Sequence, residues 1–251
     1  MTFKDHFSGH AAEYAQFRPR YPDALFRDLA SLRPDRERAW DCATGNGQAA
    51  VALAEQFDRV VATDASAQQI ESAQPHERVV YKVGPAESSG LDDDSIDLVT
   101  VAQALHWFDI PAFFAEAARV LKPRGIIAVW AYNLLSVSPE IDVLVSEFYH
   151  ETTGPFWPPE RAIVESGYRD VFFPFDEITP PHFEMEAVWT SHQLLGYLRT
   201  WSATQKFIAA RGFDPVASLG EQLRMRWDDE GRVVRWPLSL RIGRMPSIRS
   251  S

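Results

Sequence analysis

The stretch from Trp40 to Ser66, WDCATGNGQAAVALAEQFDRVVATDAS, narrows the possible folds of this chain more than any other. It reads as an acidic strand end, a glycine turn, a helix, and a second strand closing on another acid. Gly45 and Gly47 remove side chains where the backbone must turn and let a ligand approach the amides; the helix that follows offers unpaired N–H groups at its start. Ala50, Leu53, Ala54 and Phe57 recur at helical spacing, so this segment packs one face onto a sheet. Val60, Val61 and Ala62 then form a short apolar run that ends at Asp64. The result is a βαβ half-unit with an acid at the second strand's tip, placed to receive a ribose diol through paired hydrogen bonds.

Two cofactor classes fit such a cradle. Gly45-Asn46-Gly47-Gln48-Ala49-Ala50 satisfies the GxGxxA dinucleotide pattern with an acid about twenty residues on, which suits an NAD(P)-dependent oxidoreductase. Asp41 separates the two, because a carboxylate at the mouth of the first strand repels a pyrophosphate and suits a cationic ammonium. DxxxGxG followed by a second-strand acid resembles the cofactor motif of class I S-adenosylmethionine (SAM) methyltransferases. In that family the first acid serves the methionyl amino group and the second the ribose. Ala43 departs from the pattern, standing where the family often has glycine.

At 251 residues, 45% hydrophobic and 24% charged, the chain can bury one substantial core with an elaboration. Its net charge of -10 argues against nucleic acid as a partner, since phosphate contacts draw on clustered Lys and Arg. A small anion held in a local basic pocket stays compatible with that charge. The single cysteine, Cys42, excludes an intrachain disulfide and a cysteine-based zinc site, and reads as a small buried apolar residue rather than a nucleophile. A reducing, cytoplasmic setting is expected. MTFKDHFSGH has no apolar h-region and no run of about eighteen apolar residues occurs, so neither secretion nor a membrane partner is expected. A monomer or homodimer is the expected assembly.

Taken in order, FSGHAAEYAQFRPRYPDALFRDLASL predicts two short helices, the second opening at Pro22-Asp23 and burying Leu25, Phe26, Leu29 and Leu32. Tyr14, Arg18, Arg20 and Tyr21 between them read, from the residues alone, as a solvated, proline-punctuated lead-in. Ser66 caps a predicted helix reaching Gln74, with Ala67 and Ile70 facing inward, and Arg78 to Val83 is a third strand. Ile96 to Ala102 is the fourth, a helix opens at Asp109-Pro111, and RVLKPRGIIAVW gives a turn and a fifth strand. The order β-α-β-α-β-loop-β-α-β is that of a doubly wound parallel sheet. A helix from Ser138 through Glu151 follows. Six of the 17 prolines then fall between Pro155 and Pro181, too many for regular elements, and Thr152 to Pro181 is expected to cover the substrate. HFEMEAVW alternates like a strand, TSHQLLGYLRTWSATQKFIAA predicts one helix, Val216 to Trp227 another, and RVVRWPLSLRIGRMP a last strand pairing with HFEMEAVW.

The N-terminal FSxxAxxYxxFRPxYP, the RVLKPRG segment and ALHWFD also look like small-molecule methyltransferases related to trans-aconitate methyltransferase, with Arg124 where glycine is usual. The resemblance implies a Rossmann-like, mostly parallel seven-stranded sheet with an antiparallel last strand. It implies a helical lid over 1–36, a SAM-binding core over 37–137, and cover helices with closing strands over 138–251. Implied cofactor contacts fall at Tyr14, Arg18, Asp41, Ala43, Gly45, Gly47, Asp64, Ala65, Ala86, Glu87 and Gln103. Pro85 occupies the place where an acid often meets the adenine, so Glu87 or the Ala86 backbone must serve.

Implied activity is methyl transfer from SAM, with S-adenosylhomocysteine as product, to a small-molecule acceptor, a carboxylate oxygen among the candidates. His106 and Trp107 face the transferable methyl after the fourth strand and are the catalytic candidates; the alternative is a satisfied loop histidine beside a core tryptophan. YLRTWS resembles the substrate-side helix, which makes Arg199, Trp201 and Ser202 substrate contacts together with Arg20; it can equally be a plain amphipathic helix. A hydroxyl or amine acceptor needs a base, for which His106 is the candidate, whereas a carboxylate does not. No metal is expected, because Asp92, Asp93 and Asp94 are adjacent acids in a solvated turn. A non-catalytic SAM-binding module is compatible with the same fold.

Overall fold

The structure, a computed structural model, describes residues 19–227 and 230–246. Tyr14, Arg18 and the first of the expected N-terminal helices lie outside the described residues. Strands β1 (Arg38–Cys42), β2 (Arg59–Asp64), β3 (Val79–Val83), β4 (Ile96–Ala102), β5 (Leu121–Tyr132), β6 (Asp176–Ile178), β7 (Glu184–Trp189) and β8 (Arg232–Arg244) build the sheet. Their order is β3-β2-β1-β4-β5-β8-β6, with β7 paired to β8 off that path. The first five are parallel, and β8 runs antiparallel to β5, β6 and β7. This is the Rossmann-like α/β fold expected, with the order reversing between β1 and β4.

Alternation along β5 shows why the sheet is buried on both faces. Ile126, Ala128 and Trp130 join one apolar cluster with Leu25, Phe26, Leu53 and Trp236, while Ile127, Val129 and Ala131 join the other with Trp40, Phe113 and Phe114. Helices Asp23–Ser31 (α1) and Gln48–Ala54 (α2) cover the first face, and Ile110–Val120 (α4) covers the second. Long strand β8 serves two ladders. Leu238 to Arg244 pair with β5, and Arg232 to Pro237 pair with β7, so the proline lies where the strand changes partners.

Several local expectations need correction. The cover segment contains the short helix Arg161–Glu165 (α6) and the short strand β6, which its prolines hid. The helix at Ser66 is only Ala67–Glu71 (α3), with no buried residue. The chain beyond it bends so that the Gln74 amide donates to the Asn46 carbonyl at 3.0 Å and the Gln74 carbonyl accepts from Tyr81 Oη at 2.6 Å. The helix from Ser138 is Pro139–Glu147 (α5), and a wider π turn, Phe148–Thr152, follows it. The single helix predicted through TSHQLLGYLRTWSATQKFIAA is two. Ser191–Arg199 (α7) and Ser202–Arg211 (α8) are separated at Trp201, whose extended backbone swings its ring among Phe148, Tyr149, Trp157 and Tyr197. The helix expected over Val216 to Trp227 is Val216–Arg224 (α9).

Candidate active site

The strand tips at the carboxyl end of the sheet open into a cavity of about 1510 Å³. Its floor is the β1–α2 turn. Ala43, Gly45 and Gly47 all take left-handed backbone angles, φ 55°, 56° and 85°, so the position where the resemblance favours glycine is one that costs alanine strain. Gly47 has a second reason to lack a side chain, because a Cβ there would run into the Tyr81 hydroxyl. Gln48 ties the incoming chain to this turn, accepting from the Tyr21 amide at 3.2 Å and donating to the Pro19 carbonyl at 3.3 Å. Pro19 and Tyr21 line the cavity, while Arg20 is exposed and does not.

Asp64 holds the turn from the second strand. One carboxylate oxygen accepts from the Gly45 amide and the other from the Ser66 amide, each at 2.9 Å, and the carboxylate lies on the cavity wall. Asp41 behaves differently. It is 1% exposed, off the cavity wall, and accepts from the Thr44 hydroxyl at 2.6 Å and the Thr100 hydroxyl at 2.7 Å. Burial pushes its pKa up to about 6. Two threonine hydroxyls hold the Asp41 oxygens, and from this buried position the residue braces the glycine turn from behind. Gly47 likewise shapes the turn without lining the cavity.

Ala65, Gly84, Pro85, Ala86 and Glu87 form the wall beyond β2 and β3. Glu87 Oε1 accepts from the Asp109 amide at 2.9 Å, which joins this wall to the segment after β4. Gln103, at φ 57°, donates through Nε2 to the Tyr132 carbonyl at 3.1 Å, and its Oε1 is buried without a hydrogen-bond partner among the described residues. Next come His106 and Trp107 in a 3-10 turn, their rings 4.6 Å apart. His106 Nδ1 lies 3.3 Å from the hydroxyl of Tyr168, a fully buried residue that is itself left-handed at φ 63°. Burial, and then the nearby Arg161 charge, pull the His106 pKa down to about 3, so its imidazole is neutral at physiological pH.

Gln103, His106, Trp107, Tyr132, Trp157 and Pro158 belong equally to a smaller recess of about 80 Å³ that adjoins the cavity. Trp201 and Ser202 line this recess. Arg199 does not; its Nε pairs with Asp214 at 2.7 Å. Arg161, which the sequence reading missed, stands in the recess instead. Its guanidinium lies 4.8 Å from the Trp157 ring centroid and 5.3 Å from that of Tyr149, and Nε donates to Tyr149 Oη at 2.6 Å. Tyr149 Oη in turn donates to Glu165. Nothing in TGPFWPPERA signals this arrangement, because the hydrogen-bond partner Tyr149 comes from the π turn after α5.

Cys42 is buried, which pushes its thiol pKa up and leaves it unreactive. Asp93 of the acidic turn pairs with Arg119 at 2.5 Å. Among the described residues no helix is long and apolar enough to cross a membrane.

The methyltransferase domain family matches residues 40–129, from the first strand of the cradle to the fifth strand of the sheet. A protein of Dictyostelium discoideum, provisionally named a methyltransferase, is 34% identical over 225 residues, 88% of this chain and 86% of that one. A solved structure from Anaeromyxobacter dehalogenans, provisionally named a type II methyltransferase, has a TM-score of 0.87 and 45% identity, covering 92% of this chain and 100% of its own. Phosphoethanolamine N-methyltransferase 2 of Haemonchus contortus, solved with phosphomonomethylethanolamine and S-adenosylhomocysteine, shares the fold at a TM-score of 0.50 and 16% identity, over 95% of this chain and 57% of that one. A third of the residues held in common along most of two chains exceeds what a shared fold demands, and the protein belongs to the class I SAM-dependent methyltransferase family.

Proposed function

We propose that the protein binds SAM in the large cavity and methylates a small molecule held in the adjoining recess, with a carboxylate oxygen as acceptor atom. The observation that carries this reading is the shared wall. Gln103, His106 and Trp107 border both spaces, so a ligand in each would meet there. The residues suit the cofactor. Asp64 offers carboxylate oxygens to a ribose diol, Ala65, Ala86 and Glu87 flank an adenine, and the orphaned Gln103 Oε1 can accept from an ammonium. Four carboxylates, Asp64, Glu87, Asp109 and Glu160, line the cavity among the described residues against the one cation Lys206, which favours a cationic ligand.

When bound, SAM supplies an electrophilic methyl on a sulfonium. This chain's own part is to align the acceptor with it and to exclude water, and alignment alone can be worth an effective molarity of about 10⁵ M or more. His106 favours an acceptor that is already ionised. A histidine whose pKa lies at about 3 is a weak base and is poorly matched to deprotonating a hydroxyl or ammonium. It serves instead as a neutral hydrogen-bonding wall. Arg20 and Arg199 are the substrate-side cations the resemblance implies, and Arg18 is the third arginine able to orient a carboxylate acceptor. Arg20 and Arg199 stand off the recess, and Arg18 lies outside the described residues.

Calorimetry and thermal shift with SAM, S-adenosylhomocysteine and NAD(P), followed by transfer from labelled SAM to a panel of small acids, phenols and amines, test the proposal. Binding of SAM and S-adenosylhomocysteine with methylated acid as product is expected. Stabilisation by NAD(P) alone would overturn it in favour of an oxidoreductase; SAM binding without transfer to any compound would leave a binding module.

A further inference from the structure

Charge divides the two adjoining spaces. The cavity is rich in carboxylates, whereas the recess has none among its described lining residues and a single cation, Arg161. No carboxylate pairs with that guanidinium among the described residues. Its one hydrogen bond is from Nε to Tyr149 Oη, and its plane is steadied by the Trp157 and Tyr149 rings. An arginine's rotamer freedom is thus spent before any ligand arrives, while both terminal nitrogens keep their donors. The Tyr149 hydroxyl is itself fixed by donating to Glu165. In a chain of net charge -10, a pre-oriented guanidinium that faces an aromatic recess with no direct carboxylate partner among the described residues is an arrangement that asks for an anion.

We infer that Arg161 is the specificity-determining residue of the recess, and that the acceptor carries a carboxylate handle in addition to the atom that takes the methyl. The inference rests on the methyltransferase reading above. Handle and reacting atom must differ, because a carboxylate locked by two charge-assisted hydrogen bonds has its lone pairs engaged and is a poor nucleophile. The reacting atom belongs nearer the shared wall of Gln103, His106 and Trp107, where the two spaces meet. Gln103 Oε1 and Asn133 Oδ1, buried oxygens without partners among the described residues, are acceptors and do not compete for the anion.

The test compares wild type, R161Q and R161K on a panel of dicarboxylic and hydroxycarboxylic acids, each paired with the analogue in which one carboxylate is an amide, and on a phosphate monoester. Labelled SAM is the donor, and S-adenosylhomocysteine binding is measured on all three proteins. Wild type is expected to prefer the acid over its amide by about tenfold to a hundredfold in kcat/KM, mostly through KM. R161Q loses that ratio, R161K keeps part of it, and all three bind S-adenosylhomocysteine alike. Equal use of acid and amide by wild type, an unchanged ratio in R161Q, or preference for the phosphate overturns the inference. If no panel compound is methylated, calorimetry of the acids with the S-adenosylhomocysteine-loaded proteins decides, and absence of an Arg161-dependent signal overturns it as well. Failure of wild type to bind S-adenosylhomocysteine is a different result, which removes the cofactor reading itself.

Discussion

The cradle and the recess are neighbours built by opposite means. The cradle comes from one continuous stretch, Asp41 to Ser66, and is shaped by backbone: three left-handed residues and amide hydrogen bonds to Asp64. The recess comes from four separate segments, at 103–107, 132–134, 157–161 and 197–202, and is shaped by rings, with Trp157 and Trp201 centroids 5.6 Å apart and Tyr149 and Trp157 centroids 5.0 Å apart. A ligand site made of backbone is fixed by local sequence. One made of packed side chains is fixed by the whole fold, and so it can change its ligand without disturbing the first.

That division predicts separable damage. Asp64→Ala strikes the cradle hardest, removing two charge-assisted hydrogen bonds to a diol at about 1.5–3 kcal/mol each, together with the clamp on the Gly45 and Ser66 amides. Calorimetry with S-adenosylhomocysteine should show at least about a hundredfold loss. Unchanged affinity would place the ligand elsewhere.

Trp201→Ala is the counterpart in the recess. The ring is 6% exposed and packs on Phe148, Tyr149, Trp157 and Tyr197, so truncation should cost about 3–5 kcal/mol of stability by denaturant unfolding. The folded variant should bind S-adenosylhomocysteine as wild type does and lose acceptor turnover. A matching loss of cofactor affinity would mean that the two spaces are one site.

Asp41 links the cradle to pH. Its folded pKa of about 6 lies above the ordinary 3.8, so the native state favours the protonated acid. Stability is greatest, for this group, below 3.8 and falls as pH rises through 6, by about 3 kcal/mol in all. In Asp41→Asn that slope disappears. The difference in unfolding free energy, variant minus wild type, should therefore move in the variant's favour by about 3 kcal/mol between pH 3.5 and pH 7, roughly the full span of the titration. Parallel pH profiles would show that the threonine hydrogen bonds offset the burial.

The same contrast explains what the sequence could disclose. Helical and alternating periods around Ala50 to Asp64 depend on neighbours close in the chain, and the turn angles at Gly45 and Gly47 need glycine for a local reason. The parallel core and its closing antiparallel strand were therefore legible. Arg161 was not, since an arginine after two prolines looks solvated until the π turn brings Tyr149 beneath it. The pairing of Arg199 was hidden too, since its helical spacing beside Trp201 says nothing of Asp214, fifteen residues on. The break at Trp201 escaped for a related reason. Helix propensity continues through TWSA, and only the aromatic cluster gives the tryptophan cause to leave the helix. Asp41 stands on the expected strand tip, but its two threonine partners could not be read locally, since they come from the turn and from β4.

The smallest effect expected separates strain from function. Ala43 and Arg124 stand where the resemblance favours glycine, and both are left-handed, at φ 55° and 62°. Relief of about 1–2 kcal/mol of local strain, less about 0.5–1 kcal/mol for the added freedom of the unfolded chain, should leave Arg124→Gly about 0.5–1 kcal/mol more stable. Arg124 is exposed, in the turn before the buried run of β5, away from the cavity lining. Its replacement should raise the denaturation midpoint and leave S-adenosylhomocysteine affinity alone. Ala43→Gly removes comparable strain at a residue that does line the cavity. It should give the same rise in midpoint together with a change in affinity, because there the backbone is the binding surface. If both substitutions raise the midpoint and neither alters binding, the left-handed turn sets the fold of the cradle but not its grip on the ligand.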